Sequence, residues 1–131
     1  LFIAGEADQP QKVYFSEVRH RPHDTGMVTI VSQNQSEFAL HARAILGLPI
    51  GEIELIRPGA SAVILAETAT DSPKFSGMAE ALSVPTSQLR LFGKPKAYKN
   101  RRMGVALAIG DSVDEARKRA RDCATKVNVL E

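Results

Sequence analysis

The sequence predicts an α+β protein built from short elements. Three observations predict it. Apolar runs of strand length recur at Leu1–Ala4, Lys12–Val18, Ala60–Ala66, Gln88–Gly93 and Met103–Ile109. Two longer stretches, one over Asn34–Leu46 and one opened by Ser112, repeat apolar residues at spacings of three and four, the period of a helix. Polar segments holding Gly or Pro separate these runs, and two lobes are expected to meet around Leu48–Pro58.

Taken in order, Leu1–Ala4 and Lys12–Val18 read as two strands joined by a polar loop over residues 5–11. Val13, Phe15 and Glu17 share one face of the second strand, so a carboxylate ends an otherwise apolar face. Pro22 and Gly26 break regular structure in the polar stretch that follows, and Met27–Ser32 is apolar but of ambiguous type. Asn34 with Glu37 suggests a capping box for the first helix. Its apolar stripe is Phe38, Ala42, Ile45 and Leu46, and Gly47 and Pro49 stop it. Ala60–Ala66 is a strand of the fully buried kind, and Lys74–Leu82 a short helix. Gln88–Gly93 and Met103–Ile109 are strands flanking a basic loop. Ser112 and Glu115 cap the last helix, whose core face is Val113, Ala116, Ala120, Ala124 and Val127. A final strand over Val127–Leu130 is expected.

Composition narrows the function classes. The 131 residues carry 17 Lys+Arg and 15 Asp+Glu, a formal net charge of +2, which argues against a general nucleic-acid binder. No apolar run approaches the roughly 18–20 residues of a membrane span. A single cysteine, Cys123, excludes an internal disulfide and a Cys-rich zinc site, and suits a reducing, cytoplasmic compartment. The chain opens at once in an apolar run from Leu1, so a longer polypeptide is expected.

Few residues can carry chemistry. Glu17 at a strand end, beside a loop rich in Arg and His, suits a hard cation shared with phosphate oxygens, provided a second carboxylate comes from elsewhere. The alternative is a strand end fraying into solvent. His20 and His23 stand three apart, but no cysteine lies near and Pro22 breaks the helix such a spacing needs, so zinc is a poor fit. The loop Lys94–Arg102 concentrates five of the 17 cations, Lys94, Lys96, Lys99, Arg101 and Arg102, in nine residues. It reads either as a solvated loop or crude RNA-contact patch, or as a site for one phosphate monoester, which adjacent arginines hold bidentately. Cys123 sits among alanines and reads as a core residue. There is no Gly-x-Ser-x-Gly and no phosphate-cradling Gly-rich loop.

Several segments together resemble one family. They are Phe15–Val18, Arg21-Pro22-His23-Asp24-Thr25-Gly26, Ser36–His41 with Leu46–Pro49, Ala60–Leu65, Leu91-Phe92-Gly93-Lys94-Pro95 and Arg101–Ala108. In this order they resemble the C-terminal part of the formate-dependent phosphoribosylglycinamide formyltransferases, of the ATP-grasp superfamily. The resemblance implies the end of an ATP-grasp domain over residues 1–50 and a small barrel-sandwich-like α/β lobe over 51–131. It implies ATP and Mg²⁺, formate activated as formyl phosphate, and glycinamide ribonucleotide as acceptor in purine biosynthesis. Glu17 matches the second of two metal-binding glutamates, the first lying on the preceding strand before Leu1. Asp24, Lys94, Arg101 and Arg102 match residues that hold glycinamide ribonucleotide. A homodimer is expected, with the nucleotide loops upstream and this piece inactive alone. Arg19 and His20 stand where the family has a small residue and Pro, and the 96–100 segment is more basic than usual.

Two other readings compete. Related ATP-grasp carboxylases acting on aminoimidazole ribonucleotide share Arg-Pro-His but carry Asn where this chain has Asp24. A non-catalytic binding module retaining an enzyme-like lobe is the other.

Overall fold

The computed structural model describes residues 2–4, 12–15, 18 and 20–131. β1 (Phe2–Ala4) and β2 (Lys12–Tyr14) pair antiparallel, Ile3 facing Val13. The second strand ends at Tyr14, earlier than the apolar alternation predicts. The 5–11 loop and Glu17 lie outside the described residues.

The ambiguous apolar stretch is helical. A 3-10 turn over Asp24–Val28 runs directly into α1 (Thr29–Ser32). Hydroxyls hold it: Thr29 Oγ1 donates to the Gly26 carbonyl at 2.6 Å, and Ser32 Oγ to the Val28 carbonyl at 2.9 Å. α2 (Glu37–Ile45) starts later than expected. Its cap is Ser36, whose Oγ accepts from the Ala39 amide, not Asn34. Asn34 is engaged elsewhere: its side chain donates to the Glu52 carbonyl and accepts from the Glu54 amide at 3.0 Å, bracing the 52–54 backbone. No residue of α2 is buried, so its apolar stripe meets no core among the described residues.

The C-terminal lobe holds the core. β3 (Gly59–Leu65), β6 (Arg102–Ile109) and β5 (Ser87–Leu91) form an antiparallel sheet in the order β3-β6-β5. Val63 faces Val105, and Leu89 faces Ala106. α3 (Met78–Leu82) and α4 (Val113–Lys126) pack together, and α4 lies on β3 and β6. Lys74–Ser76 is not helical; it forms β4, which pairs with β7 (Asn128–Leu130). Gly77, at φ +76°, separates β4 from α3, a left-handed turn a continuous helix cannot contain.

Alanines let α4 approach the sheet closely. Ala60, Ala108, Ala116 and Ala120 form one buried cluster. Ile64, Ala81, Val84, Ala106, Cys123, Ala124 and Val127 form another, so Cys123 is a core residue as its neighbours suggest. Val113 is exposed, a first-turn residue that leans away from the sheet. On the last helix Ser112 Oγ accepts from the Glu115 amide, while Glu115 reaches one residue further back, to the Asp111 amide at 2.7 Å. Gly59 points opposite to Ala60 and abuts Val28 and Ser32, so the 24–32 segment covers the face of the sheet away from α4. That placement brings Asp24 to the start of β6. No helix among the described residues is long and apolar enough to cross a membrane.

Candidate functional site

The turn after Pro22 presents Asp24. His23 is extended at φ −123°, and the Gly26 amide donates back to its carbonyl at 3.0 Å, closing the turn. Asp24 is thereby aimed at the C-terminal lobe. Arg102, first residue of β6, extends Nη1 to within 2.5 Å of Asp24 Oδ2. The His23 imidazole Nδ1 lies against the other oxygen, Oδ1. Burial opposes ionisation of Asp24, but the hydrogen bond and charge of Arg102, with His23 adding, outweigh it. Its carboxyl is held below the usual range.

Lys94 joins the same site from the loop after β5. Its Nζ donates to the Arg102 carbonyl at 2.6 Å and lies over the Phe92 ring, 5.3 Å from the centroid. Asp24, Lys94 and Arg102 line one cavity of about 490 Å³ together with Arg21, His23, Pro22, Met27, Phe38 and Phe92. Its volume is that of a small-molecule site. Two guanidiniums, one ammonium and one carboxylate line it beside an apolar wall, an arrangement that receives an anion and a neighbouring hydrogen-bond donor.

The basic loop therefore divides. Arg101 does not line this cavity: its Nη1 donates to the Lys96 carbonyl at 2.7 Å and its guanidinium stacks on Tyr98, 5.0 Å from the centroid. Lys96 pairs with Asp71 at 2.8 Å, and Lys99 lines a separate hollow with Glu67 and Asn100. Glu17, the expected metal residue, lies outside the described residues. Among the described residues no group of three or more His, Cys, Asp or Glu could hold a metal ion. The sequence reading missed Met27, Phe38 and Phe92 as lining residues. The signal for Phe92 was its place two residues before Lys94 in Leu91–Pro95.

Fold and cavity together define an α+β lobe that closes a cationic cleft against a preceding helical turn. Comparison with known proteins agrees in detail. The family model described as PurT, C-terminal, matches residues 59–127, just over half the chain, and the chain belongs to that family. A formate-dependent phosphoribosylglycinamide formyltransferase of Syntrophotalea carbinolica is 60% identical over 129 residues, 98% of this chain and 32% of the relative. The chain thus spans about a third of the length of that curated relative. Among solved structures, glycinamide-RNase-transformylase T from Mycobacterium tuberculosis superposes with a TM-score of 0.69 at 39% identity, covering 89% of this chain and 29% of that one. N5-carboxyaminoimidazole ribonucleotide synthetase from Thermotoga maritima superposes with a TM-score of 0.77 at 31% identity, covering 85% and 31%.

Proposed function

We propose that this chain is the C-terminal segment of an ATP- and formate-dependent enzyme that formylates 5-phosphoribosylglycinamide. In that reaction ATP phosphorylates formate, giving formyl phosphate and ADP. The substrate amine attacks the formyl carbon, the C–O bond to phosphate breaks, and the N-formyl product and phosphate leave. The observation that carries the reading is the convergence of Asp24, Lys94 and Arg102 on one cavity from segments far apart in sequence.

Each residue has a role that follows from its chemistry. Lys94 and Arg102 supply fixed positive charge for the substrate phosphate, Arg102 as a planar fork and Lys94 as a point charge. Asp24 fixes the guanidinium of Arg102 and accepts a hydrogen bond from the substrate. The contribution is binding and orientation, which lowers the barrier by holding the amine near its electrophile. Arg101 would join only by leaving Tyr98. Mg²⁺ would neutralise charge on the transferring phosphoryl group when bound, with Glu17 among its carboxylate ligands.

Residues 1–50 would close an ATP-grasp domain and 51–131 form its small barrel-sandwich-like lobe. The whole protein would be a cytoplasmic homodimer. The carboxylase reading keeps one observation in its favour, the higher TM-score of the Thermotoga maritima structure. The greater identity to the transformylase and the match of the family model outweigh it. ADP release by the full-length polypeptide decides between them. It is expected to need both formate and glycinamide ribonucleotide; release that instead needs aminoimidazole ribonucleotide and bicarbonate overturns the formyltransferase reading.

A further inference from the structure

We propose that Phe92 is a positioning residue: its ring face holds the Lys94 ammonium in the cavity without neutralising it. This rests on the substrate reading above for its kinetic arm, but the geometry stands by itself. Among the described residues Lys94 Nζ has two contacts, the Phe92 ring at 5.3 Å and the Arg102 carbonyl at 2.6 Å. Neither is an anion. Two other cations of this loop differ: Lys96 is paired with Asp71, and Arg102 with Asp24. Arg101 also rests on an aromatic face and a backbone carbonyl, but outside the cavity.

A lysine has a long, flexible stem, and an unheld ammonium in a cleft samples many rotamers. A carboxylate partner, such as Asp24 is for Arg102, would fix it but would offset part of its charge. The quadrupole of an aromatic face and the dipole of a carbonyl fix it while leaving the full positive charge. Gly93 makes the contact possible. It lies between the two residues at φ +60°, turning the chain so that Lys94 folds back over the ring. Phe92 itself lines the cavity with Lys94 and Arg102, so its ring forms part of the wall beside the ammonium.

The test uses the full-length polypeptide and three variants, Phe92→Leu, Phe92→Tyr and Lys94→Arg. Leucine keeps an apolar side chain but has no ring face; tyrosine keeps the ring. In ¹³Cε-lysine-labelled protein the Lys94 signal, assigned by its loss in Lys94→Arg, is expected at a ring-current-shifted position. It should move to the ordinary lysine position in Phe92→Leu and stay shifted in Phe92→Tyr. The KM for glycinamide ribonucleotide should rise about two- to fivefold in Phe92→Leu, with kcat and thermal midpoint close to wild type, and recover in Phe92→Tyr. An unshifted wild-type Lys94 signal, or a Phe92→Tyr variant as impaired as Phe92→Leu, overturns the proposal. If the wild type does not turn over glycinamide ribonucleotide, the substrate reading fails. The Lys94 shift and the affinity for inorganic phosphate, expected to weaken in Phe92→Leu alone, then decide the positioning role; unchanged phosphate affinity in Phe92→Leu overturns it.

Discussion

Arg102 and Asp24, 78 positions apart in the chain, meet with a guanidinium nitrogen 2.5 Å from a carboxylate oxygen. The pair ties the 3-10 turn of the N-terminal segment to the first residue of the central strand. It also sets the position of the charge that faces the cavity. Two kinds of consequence follow, one for acid stability and one for binding.

The acid effect has a definite sign. The Asp24 carboxyl is depressed in the folded chain, although burial opposes this, because Arg102 stabilises the anion more strongly. The unfolded chain therefore binds more protons just below the ordinary carboxyl value of about 3.9, and stability rises with pH there. The contribution is complete above that value and is lost as pH falls through the lower folded-state pKa. Arg102 is half-exposed, so solvent screening keeps the contribution to about 1 kcal/mol or less. Urea unfolding of the wild type and Asp24→Asn should differ at neutral pH and converge in acid. A gap that persists undiminished at the lowest pH would remove the ion pair as its cause.

For binding, the two adjacent arginines are expected to separate. Arg102→Ala should raise the KM for glycinamide ribonucleotide about ten- to hundredfold, the cost of a charge-assisted bond to phosphate, with the KM for ATP little changed. Arg101→Ala should have the smaller effect on substrate, because its guanidinium is committed to Tyr98 and the Lys96 carbonyl. Its main consequence should be a loosened 96–101 loop, read as faster proteolysis there. Steady-state kinetics of both variants check this; equal losses for both substrates would contradict the phosphate assignment.

Much of this was legible in the residues. The Ser112 cap and the alanine spacing marked α4, and the apolar run over Met103–Ile109 marked a strand. Ala60–Ala66, expected to be the fully buried strand, instead exposes Val63 and Leu65, because the face opposite α4 is only partly covered; the buried central strand is β6. The concentration of cations at 94–102 marked the loop that supplies the cavity. What sequence could not show was set by distant partners. Asn34 and Ser36 are both good caps; only the 52–54 backbone, folding back onto Asn34, decides that Ser36 serves. Phe75 stands at helical spacing from Met78, Ala79 and Leu82, yet pairing with Val129 makes it a strand residue. Five cations looked equivalent until Asp71 and Tyr98 claimed Lys96 and Arg101.

Glu17 gives a metal prediction. Glu17→Gln keeps size and shape but removes the charge a hard cation needs. In the full-length polypeptide it should raise the Mg²⁺ concentration required for half-maximal ADP release while leaving the thermal midpoint unchanged. Turnover equal to wild type at limiting Mg²⁺ would take Glu17 out of the metal site.

Two glycines should respond very differently to alanine. A Cβ at Gly77 would lie 1.8 Å from the Lys126 carbonyl oxygen, and the residue is left-handed at φ +76°. Backbone cannot swing aside, so α3 and the C-terminus of α4 must separate. Gly77→Ala should cost about 2–4 kcal/mol, combining left-handed strain with lost packing. A Cβ at Gly26 would meet Glu37 Oε2 at 1.5 Å, a closer approach on paper. That atom ends a flexible side chain, and rotating Glu37 away relieves the clash at a cost of about 1 kcal/mol. Gly26→Ala should therefore unfold in urea near the wild type, and Gly77→Ala well below it. The reverse order would mean that Glu37, not the α3–α4 contact, is the constrained element.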